Sequence, residues 1–310
     1  MGMCYAIIVC DRRSEIAVTN RVPWAKRAAA VVRTVAAAGS VAGAILVTVS
    51  ISMASAEERD LAGGLLRVCA DPQNLPYSND KGQGFENRLA ELFAAKLNAR
   101  LVYSWFPEGA GAVPNTLGSE SCDLVLGYDH GIGLSEDTNP YYYTSYALVY
   151  RKGDQSLAGV DSLSDRRLLP KKIGVAAGTL PMSIMAIDGL AANAKLFANT
   201  QVPGGPAAAM IAEIASGALD AAILWGPIGG YIAKSSKVPL TLVPLAKEKT
   251  GPHMLYGITM GIRPNEPEWK HKLNRLIAEN QDDINAILLD YDLPLLDDQG
   301  NEVKRATAER

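Results

Sequence analysis

The chain is 310 residues long, with 30 Lys/Arg against 33 Asp/Glu, a formal net charge of −3 and three histidines. That acidic balance argues against nucleic acid as a partner, because a phosphate backbone selects basic faces. The length and a hydrophobic content of 48% supply material for more than one core.

The N-terminus reads as an export segment. Arg21, Lys26, Arg27 and Arg33 precede an apolar stretch from Val35 to Met53, and Ala54-Ser55-Ala56 supplies a small-x-small cleavage pattern. A retained transmembrane helix is the competing reading, since the stretch is long enough to span a bilayer. A charged, globular-type sequence directly after the A-x-A site favours cleavage after Ala56 and a periplasmic product. The leader holds six basic and two acidic residues, so the remainder has a net charge near −7. It contains no other run long enough to cross a membrane, and no stable span is expected after cleavage. The expected organisation is an export segment over 1–56, a first lobe over 57–151, a second lobe over 152–252, and a return to the first lobe over 253–310.

Strand 65–71 opens the first lobe and stops at the polar turn PQNLPYSNDKGQ. A helix over 84–97 follows, its Phe85, Leu89, Leu92, Phe93 and Leu97 falling on one face at the spacing that packs on a sheet. Strand 100–106, a short helix near 112–118 and strand 123–127 come next. Strands alternating with helices imply a parallel sheet with right-handed crossovers. The β-rich run YYYTSYALVYR at 141–151 reads as a crossover to the second lobe. There the expected elements are strand 172–176, helix 180–191, strand 195–198, helix 206–216, strand 219–225, helix 228–235 and strand 240–245. The segment HMLYGITMGIR at 253–263 reads as a return strand, and helices near 266–280 and 282–289 close the chain. Two crossings, near Arg151 and Pro252, make a hinge.

The two halves repeat one another. Residues 115–127 (NTLGSESCDLVLG) and 213–226 (EIASGALDAAILWG) each run from a helical segment through a small-residue turn into an Asp, then a buried-type strand ending in Gly. Two such α/β units predict two lobes with a cleft between them, each lobe a mostly parallel sheet flanked by helices. Ligands of such sheets meet the carboxyl ends of the strands. Those ends carry Asp71, Asn74, Tyr77, Asn79, Tyr128, Asp129 and His130 on the first side, and Thr179, Trp225 and Pro227 on the second. The first side is aromatic and acidic, the second small and apolar. Trp225 reads equally as a ring at the cleft mouth or as packing between lobes.

Cys4 and Cys10 fall in the leader, which leaves Cys69 and Cys122. An exported chain with two cysteines prompts a disulfide. Taken as neighbouring strands that start level, their segments separate the two by about four residues, roughly 13 Å. A bond needs Cα atoms within about 7 Å. A disulfide and a pair of buried small side chains both stand as readings.

Catalytic and metal motifs are scarce. No GxGxxG or Walker loop follows either first strand, and there is neither a GxSxG elbow nor an HExxH. His130, His253 and His271 are scattered, without the paired spacing zinc needs. The oxygen-rich loop from Asn79 to Gly84 lacks alternating Asp/Asn positions and contains Lys81, so no hard cation is expected there. Glu86 beyond it reads as a first-turn helix carboxylate favoured by the dipole.

RVCADPQNLPYSND with GFENRLAELFA, then CDLVLGYD, YYYTSYALVYR, DAAILWGPIGGY and the C-terminal MGIR, WKHKLN and ILLDYDLPLL together resemble the type II periplasmic solute-binding proteins. More closely they resemble the quinoprotein-dehydrogenase-associated J proteins, of MxaJ/MoxJ/XoxJ type, over nearly all of 65–296. The resemblance implies a two-lobed type II fold, export, and association with a methanol or related alcohol dehydrogenase that uses pyrroloquinoline quinone with calcium or a lanthanide. A c-type cytochrome is a further partner it implies, and the chain itself is expected to hold no cofactor and to be no enzyme. Amino-acid-binding relatives clamp the substrate carboxylate with an Arg after the first lobe's Asp-containing strand and hold its ammonium with an Asp in the second lobe. Here no Arg lies between Tyr128 and Tyr150, and the second position reads Leu224-Trp225-Gly226. A zwitterion would be left unpaired, at several kcal/mol per buried ion. The leading expectation is an accessory protein; the alternative is a transport receptor for a small uncharged or aromatic solute. An enzyme would have to rely on Asp71 with Asp129.

Overall fold

In a computed structural model of the chain, residues 61, 64–109, 112–129, 135–198 and 205–305 are described. The segment read as an export leader, with Cys4 and Cys10, lies outside them. Among the described residues no helix is long and apolar enough to cross a membrane.

The first half is built from β1 (Leu65–Ala70), a two-residue hairpin of β2 (Gln73–Asn74) and β3 (Ser78–Asn79), α1 (Phe85–Lys96), β4 (Arg100–Trp105), the single turn α2 (Ala112–Asn115), β5 (Leu124–Asp129) and β6 (Glu136–Asp137). β7 (Tyr142–Arg151) leads into the second half, formed by β8 (Ile173–Ala176), α3 (Leu180–Ile187), β9 (Ala194–Phe197), α4 (Gly205–Ser216), β10 (Ala221–Trp225), α5 (Gly226–Lys234) and β11 (Leu240–Pro244). β12 (Leu255–Ile262) returns, and α6 (Pro267–Glu279) and α7 (Gln281–Asp290) pack on the first half.

The strand order is β4-β1-β5-β12-β7-β10-β8-β9, with β6 on β12 and β11 on β7. Each half therefore contains three parallel strands in the order second, first, third, then an antiparallel strand from the crossover, then one more strand. β5, β12 and β6 in the first half match β10, β7 and β11 in the second. The duplication read in the sequence is thus a duplication of topology.

The repeated Asp has one job in both copies. Asp123 donates its amide to the Arg67 carbonyl at 2.8 Å and accepts the Arg67 amide on Oδ2 at 3.0 Å. Asp220 donates its amide to the Lys172 carbonyl at 3.0 Å and accepts the Lys172 amide on Oδ2 at 2.8 Å. Each bracket holds the entry to a third strand against its neighbouring first strand. Burial alone would raise the Asp123 carboxyl, but hydrogen bonds from Arg67 and the charges of Arg67 and Arg263 hold it below the usual carboxylate range.

α1 buries Phe85, Leu89 and Phe93 completely against β1, β5 and the closing helices, where Trp269 and Leu273 complete one continuous core. Its N-terminus is secured by the Asn87 side chain, which accepts the amides of Gly84 and Asn79, both at 3.0 Å. The second half has apolar clusters of its own, one around α3 and β8 and another around α4 and β10.

Cys69 and Cys122 form a disulfide, with Cα atoms 5.5 Å apart. The expectation of a separation near 13 Å is overturned, because Cys122 does not continue the line of β5. Val68 is paired with Leu124, within one residue of a level start, and Cys122 leaves the strand in the turn before it, where it packs with Cys69, Leu117 and Val125. The bond closes 53 residues of sequence. A loop of that size is worth on the order of 4 kcal/mol in the chain-entropy account. Replacing both cysteines by serine is expected to lower unfolding stability by about 2–5 kcal/mol, read from urea midpoints, and reductant should reproduce the loss in the parent protein. Equal midpoints with and without reductant would contradict the bond.

Candidate functional site

The carboxyl ends of β1 and β5 in the first half and of β8 and β10 in the second carry the sequence-predicted residues. Asp71 follows β1 and is occupied by backbone: Oδ1 accepts the Gln73 amide and Oδ2 the Glu108 amide, both at 2.8 Å. It thereby clips the turn after β1 to the loop after β4. Asn74, on β2, is hydrogen-bonded through its side chain to Glu108. Asn79 is buried and spent locally, its Oδ1 accepting the Lys81 and Gln83 amides at 3.1 and 2.8 Å. The oxygen-rich loop is therefore an Asx turn closed by its own backbone.

Tyr128 is buried with its ring against Gly261 of β12, and its carbonyl accepts the Thr259 hydroxyl at 3.0 Å. Asp129 ends β5 opposite Ile258. His130 lies outside the described residues. In the second half Thr179 precedes α3 and donates its hydroxyl to the Ala176 carbonyl at 2.8 Å. Pro227 is buried in the first turn of α5.

Tyr77 and Trp225 meet across the two halves. Trp225 Nε1 donates to the Tyr77 hydroxyl at 2.7 Å. The indole stands edge-on to Tyr146 and to Tyr256, with ring centroids 5.1 Å away in each case. Tyr77 in turn leans on Phe85 at 5.1 Å. The turn after Trp225 is compressed, since a Cβ added to Gly226 would lie 2.5 Å from the Ser145 carbonyl oxygen and 2.7 Å from Pro294. The Trp-Gly-Pro sequence thus sets an aromatic ring between the halves, and Gly226 leaves no side-chain atom where the turn meets Ser145 and Pro294.

The change of partner between halves falls at Ser145–Tyr146. β7 pairs with β12 over Tyr142–Ser145 and with β10 from Tyr146 onward. Arg151, read as a hinge residue, lies instead at the far end of β7, where its guanidinium donates to the carbonyls of Ile214 and Leu219 inside the second half. Pro252 is exposed in the loop before β12. The β-rich run was legible as a crossover, but the pairing register that locates the crossing was not.

Glu86 departs most from its expected role. It is 5% exposed, and Oε1 has no hydrogen-bond partner among the described residues. That oxygen lies against Gly127, which takes a φ of +67° and would place a Cβ 2.2 Å from it. Burial, followed by the negative charges of Glu108 and Asp71, pushes the Glu86 carboxyl well above its ordinary value. Tyr141 is buried beside it and accepts the Gly127 amide at 2.9 Å. Nothing in the local sequence separates a solvated first-turn Glu from a buried one; the surrounding Tyr77, Tyr141 and Gly127 come from distant segments. Among the described residues no group of three or more His, Cys, Asp or Glu is arranged to hold a metal.

No protein-family profile matches the sequence. XoxJ from Methylobacterium extorquens AM1, a periplasmic binding protein, is 38% identical; the match covers 75% of this chain and all of that one, with a TM-score of 0.62. The chain belongs to the MxaJ/MoxJ/XoxJ family. Protein MoxJ of Paracoccus denitrificans is 28% identical over 249 residues, covering 74% of this chain and 89% of its own. MxaJ from Methlophaga aminisulfidivorans, 23% identical, covers 74% of this chain and all of its own with a TM-score of 0.63, and confirms the fold. The fold of this J protein is the type II periplasmic-binding architecture, two α/β halves joined by two crossing strands.

Two measurements check this geometry. Trp225→Phe and Tyr77→Phe each remove the hydrogen bond and keep a ring, so a double-mutant cycle on urea unfolding should return a coupling of about 0.5–1.5 kcal/mol. A coupling indistinguishable from zero would mean the halves do not meet there. Glu86 retains its proton when folded at pH values where the unfolded chain has lost it. Stability is therefore spent as pH rises from the unfolded value towards the higher folded one. Glu86→Gln should match the parent below the unfolded value and exceed it increasingly above; a constant difference in Tm across pH would contradict the burial of an acid.

Proposed function

We propose that this protein is a non-catalytic periplasmic accessory of a quinoprotein alcohol dehydrogenase, of the methanol-oxidising kind, which it binds or helps to mature. The observation that carries the reading is Trp225. In a two-half fold built to close on a solute, the position between the halves is filled by the protein's own indole, held by Tyr77, Tyr146 and Tyr256. Membership of the J-protein family and the absence of the arginine clamp support the same reading. The clamp has no substitute in the sequence from Tyr128 to Tyr150. Asp71, the one described carboxylate of the expected acid pair, is engaged by two backbone amides, which weighs against a catalytic use.

On this reading the chain is exported, its leader is removed after Ala56, and it holds no cofactor. The pyrroloquinoline quinone, with calcium or a lanthanide, belongs to the partner enzyme, and a c-type cytochrome is a second candidate partner. The acidic balance suits a basic protein partner.

Retention of the dehydrogenase on the immobilised protein from a periplasmic extract is the expected outcome. In a strain lacking the gene, the dehydrogenase should have reduced activity or reduced cofactor content. A dehydrogenase that is not retained, and is active and cofactor-replete in the deletion strain, would overturn the reading. A transport receptor would instead show a tight small ligand in thermal-shift screening and depend on a dedicated permease.

A further inference from the structure

Residues 291–303, beyond α7, touch both halves and the strands that cross between them. Their root is in the first half, where Leu293 and Leu295 are buried in the core and the Tyr291 hydroxyl donates to the Gln83 carbonyl at 2.9 Å. The stretch then passes over the crossing. There the Thr144 hydroxyl donates to the Pro294 carbonyl at 3.2 Å, and the Leu296 amide donates to the Tyr143 carbonyl at 2.9 Å. Leu296 also bridges to Glu302, and Asp297 closes the loop between them by accepting the Gln299 and Asn301 amides on Oδ1 at 2.9 and 2.8 Å. This loop lies on the second half, since a Cβ added to Gly300 would meet Ala246 at 3.2 Å.

The same stretch grips α5 along its length. Gly226 faces Pro294, Tyr231 stacks on Tyr291 with ring centroids 6.3 Å apart, and the Lys234 ammonium lies 3.2 Å from the Asp292 carboxylate and donates to the Asp290 carbonyl at 2.7 Å. Gly230 is where helix backbone meets the stretch directly, and any Cβ there would collide with the Asp292 carbonyl oxygen. α5 belongs wholly to the second half, whereas Leu293 and Leu295 are fixed in the core of the first. A rotation of one half about the crossing would therefore pull α5 off these contacts.

We propose that residues 291–303 are a strap that locks the two halves in the arrangement where Trp225 meets Tyr77, so that the protein does not cycle between open and closed forms. A transport receptor obeys the opposite rule, because its ligand must shift a balance between two populated states. The lock is a property of the chain's own hinge. It holds whatever partner the protein serves.

The test is the distance between the halves of the full chain, read by pulsed electron spin resonance. Labels are carried by a ketone-bearing amino acid at the exposed Lys81 of the first half and the exposed Ser183 of α3, which spares the cysteines. One narrow distance distribution is expected in the parent. Gly230→Ala should raise the population at longer distance about tenfold or more. Ala is the better helix former, so such a change does not come from a weakened α5. Gly229→Ala is the control, because its Cβ would meet only Leu224 and Leu242 inside the second half, and it should keep the parent's distribution. Two populations in the parent, an unchanged distribution in folded Gly230→Ala, or equal broadening by Gly229→Ala would each overturn the strap. Should Gly230→Ala not fold, Tyr231→Ala combined with Lys234→Met, which removes the ring stack and the ion pair, takes its place under the same three outcomes.

Discussion

The pairing of two crossing strands organises everything else in this protein. Tyr142–Ser145 of β7 runs antiparallel to Leu255–Ile258 of β12, and those four residue pairs are where the chain passes between halves in both directions. One strand supplies the antiparallel member of the second half's sheet and the other that of the first. Because both crossings share one set of hydrogen bonds, neither half can shift register without the other. The rings that gather there follow from this. Tyr256 belongs to the shared pairs and Tyr146 follows them directly, and their side chains converge on Trp225 from the third strand of the second half.

Around that crossing the two faces differ in chemistry. The second half contributes apolar bulk and a compressed Gly-Pro turn, which brings α5 directly onto the segment after α7. A Cβ at Gly230 would lie 2.0 Å from the Asp292 carbonyl oxygen, and Tyr231 stacks on Tyr291. The first half contributes hydroxyls and carboxyls. An aromatic contact between halves with acids beside it is a different balance from a solute trap, whose two faces carry complementary charges for one zwitterion.

The fold was legible because its signals are local and repeated. The apolar spacing of α1, the alternation of strand and helix, and the doubled Asp-strand-Gly pattern all lie within short stretches, and they imply a parallel sheet with right-handed crossovers. What was not legible depends on register and on distant neighbours. Cys122 was measured along the line of a strand, but it belongs to the turn before one, and leaving that line turned a distance that forbids a bond into one that makes it. Arg151 marks the end of a strand, whereas the crossing occurs inside it. Glu86 shows the same limit in electrostatic form. Its position in a first turn is visible in sequence, but its burial is decided by Gly127 and Tyr141, more than forty residues away.

The connectivity also fixes an order of assembly. Every strand of the second half's sheet comes from one unbroken stretch, Tyr146 to Pro244. The first half lacks its fourth strand and its two covering helices until the chain beyond Leu255 is present. A chain emerging from its N-terminus therefore holds every strand of the later half before it holds every strand of the earlier one, whose β1 to β5 have α1 on them but neither β12 nor the closing helices. The Cys69–Cys122 bond lies wholly within that waiting segment and needs nothing downstream of it. In an oxidising compartment it acts as a clip on an unfinished sheet, holding β1 beside the entry to β5 until the last third of the protein arrives to cover them.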